Sequence, residues 1–143
     1  MWARSVRPIR DRSPKRISSD SDETGGLSQA ANMSTSHSIG FIGAGKMATA
    51  LAVGFLRSGL TDPARLMASD VHEGARTAFE SLTQASTTAS NLEVIRGSRV
   101  LILAVKPQQM EGMLRELGSS LTAQHVIISI AAGVTVSRIL KWL

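Results

Sequence analysis

Residues 38–51, Ser-Ile-Gly-Phe-Ile-Gly-Ala-Gly-Lys-Met-Ala-Thr-Ala-Leu, constrain the fold more than any other stretch of this chain. Ile39-Gly-Phe-Ile42 reads as a short buried strand, and an apolar pattern at helical spacing begins a few residues later. Between them, Gly43, Gly45 and Ala48 match G-x-G-x-x-G/A. A strand that enters a helix through this pattern opens a βαβ unit that takes a dinucleotide. Each position has a reason. Gly43 lets the backbone turn sharply. Gly45 has no side chain, so a pyrophosphate can approach the backbone. Ala48 is small enough for the helix to pack on the strand. The free N–H groups and partial positive charge of the helix start then face the phosphates.

The chain of 143 residues has room for one domain. It contains no cysteine, which excludes disulfides and thiolate metal sites. His37, His72 and His125 are scattered and make no metal cluster. No apolar run approaches the roughly 20 residues needed to span a bilayer. The aromatics are Trp2, Phe41, Phe55, Phe79 and Trp142, too few for a nucleic-acid stacking platform.

The formal charge of +5 is unevenly placed. Arg4, Arg7, Arg10, Arg12, Lys15 and Arg16 face Asp11 alone, and residues 17–37 carry Asp20, Asp22 and Glu23 with no basic residue. The basic character therefore comes largely from a tail rather than from a binding face. Residues 1–37 have no helical or strand periodicity, and the expectation is disorder. Their acids argue against an organelle transit peptide; a nucleic-acid arm is the other functional reading. Met33 stands at a natural translation start, so residues 1–36 are expected to be dispensable.

Beyond the glycine turn, strands and helices alternate. Strand one is expected over 38–43 and helix A over 45–58, with Met47, Ala50, Leu51, Phe55 and Leu56 on its apolar face. Ser58-Gly59 ends it. Strand two is 65–69, and a helix carrying Ala75, Ala78, Phe79 and Leu82 follows. Residues 84–89 suggest a short polar strand. Asn91 caps a short helix through Ile95. Val100–Val105 and His125–Ile130 read as strands buried on both faces of a parallel sheet. Pro107 stops the first of these. A helix over 108–117 places Met110, Met113, Leu114 and Leu117 on one face, and 135–143 begins another. The expected fold is α/β, a doubly wound parallel sheet of Rossmann-like type over residues 38–143.

Three segments go beyond a generic sheet of this kind: Gly40–Ala48, Ala104-Val-Lys-Pro107 and Ser129-Ile-Ala-Ala-Gly-Val134. Together they resemble the N-terminal domain of pyrroline-5-carboxylate reductase. The resemblance implies that this domain binds NAD(P)H and that the enzyme reduces a C=N bond to give proline. It implies pyrophosphate contacts from Ile42, Gly43, Ala44, Gly45, Lys46 and Met47, and adenosine contact from Asn91. Ala104, Val105, Lys106 and Pro107 would line the nicotinamide-side ribose. Ile130, Ala131 and Ala132 would flank the nicotinamide. These segments lie at carboxyl ends of strands, where open α/β sheets bind ligands.

Structural readings stand beside these. Gly43 and Gly45 also suit a plain tight turn, Lys106 a solvated strand end, Pro107 a strand stop, Ala131 and Ala132 close packing, and Asn91 a helix cap. Asp70 follows strand two, 25 residues after Gly45. An acid there accepts the adenine ribose 2′-OH and repels a 2′-phosphate, so NADH is expected over NADPH, with Arg76 as partial compensation. Asp70 also suits a helix N-cap before Glu73.

No acid–base pair or nucleophile triad is present, so no catalytic residue is named. The resembled family adds a helical domain with dimer contacts and most of the substrate pocket. The expectation is a truncated reductase from the cytoplasm, homo-oligomeric when whole, in which this part alone binds cofactor without appreciable turnover. Its substrate would be a small molecule, with no nucleic-acid or membrane partner. Competing readings are the Rossmann half of a β-hydroxyacid-dehydrogenase-like reductase and a non-catalytic dinucleotide-binding module.

Overall fold

The structure, a computed structural model, describes residues 38–143. The expectations for the 1–37 tail and the Met33 start lie outside them. Five parallel strands form one sheet in the order β3-β2-β1-β4-β5: β1 Ile39–Ile42, β2 Leu66–Ser69, β3 Ser86–Thr88, β4 Val100–Leu103 and β5 Val126–Ser129. Five helices connect or follow them: α1 Lys46–Arg57, α2 Glu73–Thr83, α3 Asn91–Gly97, α4 Pro107–Leu117 and α5 Val136–Trp142. Short 3-10 turns occupy Pro63–Arg65 and Gly118–Ser120. The doubly wound arrangement expected from the sequence is the one observed.

Strand alternation divides the core into two layers. Ile39 and Phe41 of β1, Leu66 and Ala68 of β2 and Ile102 of β4 face one layer, packed against Ala48 and Ala52 of α1 and Phe79 of α2. Ile42, Leu101 and Leu103 face the other, against Val94 and Ile95 of α3, Met110, Met113, Leu114 and Leu117 of α4, and Ile139 of α5. The methionines are thus core fillers, as the spacing predicts. Gly40 has a packing role that the sequence reading does not assign it. A Cβ there would collide with the Val94 and Ser98 side chains, so this glycine lets α3 lie close on β1.

Several expectations change. β5 is not buried on both faces: it is an edge strand, with Val126 and Ile128 51% and 45% exposed. α1 and α2 cover the first layer only over the other strands, so the β5 residues on that side face outward while Ile127 packs beneath. In α1, Met47 and Ala50 are exposed, and the buried face is Ala48, Thr49 and Ala52. Ala78 and Leu82 likewise lie on the outer face of α2, where only Phe79 and Thr83 are buried. β4 ends at Leu103, and Pro107 opens α4 at its first turn rather than stopping the strand. That is a favourable place for proline, whose missing N–H would have no intrahelical acceptor.

Phe79 is fully buried, with its ring 5.8 Å from that of Phe41. Phe79→Ala is expected to cost about 3–5 kcal/mol, as large-to-small core changes do, measured by urea unfolding. Gly43 has φ of +101°, and a Cβ there would sit 2.7 Å from the Ala104 carbonyl oxygen. Because that neighbour is backbone, it cannot swing away. Gly43→Ala should therefore destabilise by at least about 1–3 kcal/mol, the scale of a strained backbone residue, in the same measurement.

Candidate functional site

The parallel register brings the candidate segments to one edge of the sheet. Ile42 pairs with Ser69 on one side and Leu103 on the other, and Leu103 pairs with Ser129. One more row of backbone hydrogen bonds continues past the strand ends. Gly43 N–H donates to Ser69 O at 2.8 Å, Ala104 N–H to Ile42 O at 2.8 Å, Ile130 N–H to Leu103 O at 3.1 Å and Asp70 N–H to Thr88 O at 3.1 Å. The glycine turn, Asp70, the Ala104–Pro107 segment and the Ile130–Ala132 segment are thereby fixed side by side. β1 and β4 flank the point where the connection order reverses, the place at which open α/β sheets take their ligands.

The two turn glycines differ in kind. Gly43 is required by its backbone angle and by its approach to Ala104. Gly45 is required by neither. Its φ is −70°, open to any residue, and a Cβ would meet nothing within 4 Å. It is the N-cap of α1, lacks a side-chain cap, and has no acid in the turn that follows. The N–H groups of Gly45, Lys46, Met47 and Ala48 thus open into this space without intrahelical acceptors. A bare helix start beside empty space suits an anion that must reach the backbone.

Around this turn the predicted residues play different parts. Ile42 and Ala44 are buried, so each can meet a ligand only through its backbone. Lys46 and Met47 are exposed at the helix start, Met47 at 65%. Ala104 and Val105 are half-buried. Lys106 and Pro107 are exposed where β4 passes into α4, with Lys106 as its N-cap. The two ion pairs among the described residues lie elsewhere, Arg65–Asp62 and Arg115–Glu111. Ile130 and Ala131 are half-buried and pack on the core, and Ala132 is exposed.

Asn91 is not the cap of its helix. Ser90 takes that place, and Asn91 Oδ1 accepts the Ser69 hydroxyl at 2.7 Å. This bond ties α3 to the end of β2 through the Asn91 amide oxygen. Ser69 is fully buried, and the sequence gives no sign of its role, because a serine ending an apolar strand carries no pattern of its own. Asp70 is likewise not the cap of α2, which is His72. Its Oδ2 accepts the Ala44 N–H at 2.9 Å, and its Oδ1 accepts the His72 N–H at 2.9 Å. Arg76 Nη1 donates to the Asp70 carbonyl at 2.8 Å. The side chain that the sequence assigns to a ribose is thus engaged with the glycine turn.

A cavity of about 450 Å³ opens at the opposite edge of the sheet, lined by Ser38, Arg96, Arg99, Thr122 and His125 among others. His125 is held there by both ring nitrogens: Nδ1 accepts the Thr122 N–H at 2.9 Å, and Nε2 lies 3.2 Å from Ile95 O. This cavity lies at the amino ends of β1, β4 and β5 and shares no residue with the glycine turn. Among the described residues no group of histidines and acids could hold a metal ion.

Comparison with known proteins accords with this geometry. The pyrroline-5-carboxylate reductase of Pisum sativum is 36% identical over 110 residues, 77% of this chain and 40% of that protein. The pyrroline-5-carboxylate reductase of Methanosarcina acetivorans is 40% identical over 99 residues, 69% of this chain and 37% of its own length. A solved pyrroline-5-carboxylate reductase from Coxiella burnetii superposes with a TM-score of 0.71 at 34% identity, over 76% of this chain and 40% of that one. The chain thus spans well under half the length of these relatives. Residues 38–133 match the family model described as NADP oxidoreductase, coenzyme F420-dependent. The chain belongs to that family, and its described part is a pyrroline-5-carboxylate-reductase-like, N-terminal dinucleotide-binding domain.

Proposed function

We propose that residues 38–143 bind a reduced nicotinamide dinucleotide, NADH or NADPH, and that the protein serves the reduction of 1-pyrroline-5-carboxylate to L-proline. The observation that carries the proposal is Gly45: a residue with an ordinary backbone angle and open space where its side chain would be, at an uncapped helix start. Neither conformation nor packing calls for a glycine there, whereas a pyrophosphate lying against the backbone does. The reductase relatives support the choice of substrate.

When bound, the cofactor would supply the hydride that turns the imine CH of the substrate into a ring CH2 of proline, while the imine nitrogen takes up a proton. This chain's residues hold it. The α1 start takes the pyrophosphate through backbone N–H groups. Asn91 lies on the adenosine side, with its amide NH2 as donor. Ala104 to Pro107 form the wall toward the second ribose, where the exposed Lys106 ammonium is free to meet a phosphate or the substrate carboxylate. Ile130, Ala131 and Ala132 give an apolar and backbone surface for the nicotinamide ring, next to β4 in the sheet. On this reading the substrate is a small molecule, the protein works in the cytoplasm, and it assembles as a homo-oligomer. No described helix is long and apolar enough to cross a membrane.

Gly45→Val tests the carrying observation. Its Cβ would meet nothing within 4 Å, so the side chain extends into open space. Circular dichroism and the melting temperature are expected to stay near those of the parent. NADH affinity by calorimetry should fall about tenfold or more, a factor that corresponds to about 1.4 kcal/mol. Unchanged affinity in a folded variant would contradict the assignment of the turn to a pyrophosphate.

A further inference from the structure

The hydrogen bonds around Asp70 give it a task the ribose reading does not contain. Past the strand ends, Gly43 N–H reaches the Ser69 carbonyl, as one more step of the β1–β2 ladder. Gly43 then turns the backbone with its positive φ, which takes the following Ala44 N–H out of the ladder. The Asp70 side chain receives it, with Oδ2 accepting the Ala44 N–H at 2.9 Å. Ala44 is only 2% exposed, so little water can reach this N–H in place of the carboxylate. A buried donor left unmade is unfavourable. Asp70 is itself held on three sides: its N–H by Thr88 O of β3, its Oδ1 by the His72 N–H, and its carbonyl by Arg76 of α2.

We infer that Asp70 is a positioning residue for the glycine turn: its carboxylate fixes Ala44 between Gly43 and Gly45, and so sets the shape in which the α1 start meets a pyrophosphate, for NADH and NADPH alike. The inference rests on the dinucleotide reading above. It differs from the sequence expectation, in which the carboxylate acts on the ribose and separates the two cofactors by the charge of a 2′-phosphate. Here Asp70 acts through the turn, upstream of any contact with the sugar. Both of its oxygens accept backbone N–H groups, from Ala44 and His72, so the carboxylate ties the turn before α1 to the segment before α2.

The test uses the whole chain and Asp70→Ser, which keeps a short acceptor for the His72 N–H but does not extend to Ala44. NADH, NADPH and nicotinamide mononucleotide, which lacks the adenosine ribose, are titrated by calorimetry. Amide hydrogen exchange is followed residue by residue by NMR. Positioning predicts that NADH and NADPH affinities fall by a similar factor, about tenfold, the lower end of what a hydrogen bond to a charged group contributes. The mononucleotide weakens with them. Ala44 exchanges faster while the β4 amides keep their protection. A loss for NADH alone with a gain for NADPH, or an Ala44 amide that exchanges as before, overturns the inference. Should the variant fail to fold, the parent still decides: its Ala44 amide must be protected well beyond that of Gly45, and equal exchange overturns the inference. If the parent binds neither dinucleotide, the cofactor reading falls, and the exchange of Ala44 in the parent and the variant still decides whether Asp70 holds the turn.

Discussion

The backbone of Gly43 lies so close to the Ala104 carbonyl that no side chain fits between them, and the rest of the site depends on that approach. β1 lies at the centre of the sheet, with β2 and β4 in register on either side. A turn that swung wider at Gly43 would break the bond from Ala104 to Ile42 and the bond from Gly43 to Ser69 together. It would also shift the start of α1, whose small residues Ala48 and Ala52 are packed flat on β1 with no exposed surface. The tight turn, the close helix and the aligned strand ends are therefore one arrangement. The crevice is what remains above it.

Electrostatics fit the same picture. The α1 start has neither a capping side chain nor an acid in its first turn, so its own N–H groups remain as donors for an anion. The Asp70 carboxylate stands beside it, on the Ala44 N–H one residue before the N-cap, with both oxygens engaged by backbone donors. The arginine-lined cavity at the far edge has charge but lacks this construction, since its Arg96 and Arg99 are surface side chains at the amino ends of the strands.

Much of this was legible in the chain. The glycine turn, the alternation of strands and helices and the four methionine and leucine positions of α4 follow from local pattern, and they recur in the structure. What pattern could not settle was place in the sheet. The run at 125–130 has the composition of a central strand, yet lies at the edge with one face bare, because burial on that face depends on helices from distant sequence. Met47 and Leu82 are apolar and still face outward, since each helix buries a narrow stripe. Side-chain bonds across long sequence gaps were likewise invisible. Asp70 to Ala44 and Ser69 to Asn91 join residues 26 and 22 apart, and nothing in either segment announces the other. Gly40 has the same limit: its need to be glycine comes from Val94 and Ser98, more than 50 residues away in sequence.

The central claim is that this edge of the sheet, with its bare helix start, is a dinucleotide site. The most direct measurement is an amide NMR titration of the whole chain with NADPH, read residue by residue. The account predicts saturable shifts centred on residues 43–48, with smaller ones at Asp70, Asn91, residues 104–106 and 130–132, and none around Arg96, Arg99 and His125. Shifts confined to that far edge, or none at any concentration, would contradict it.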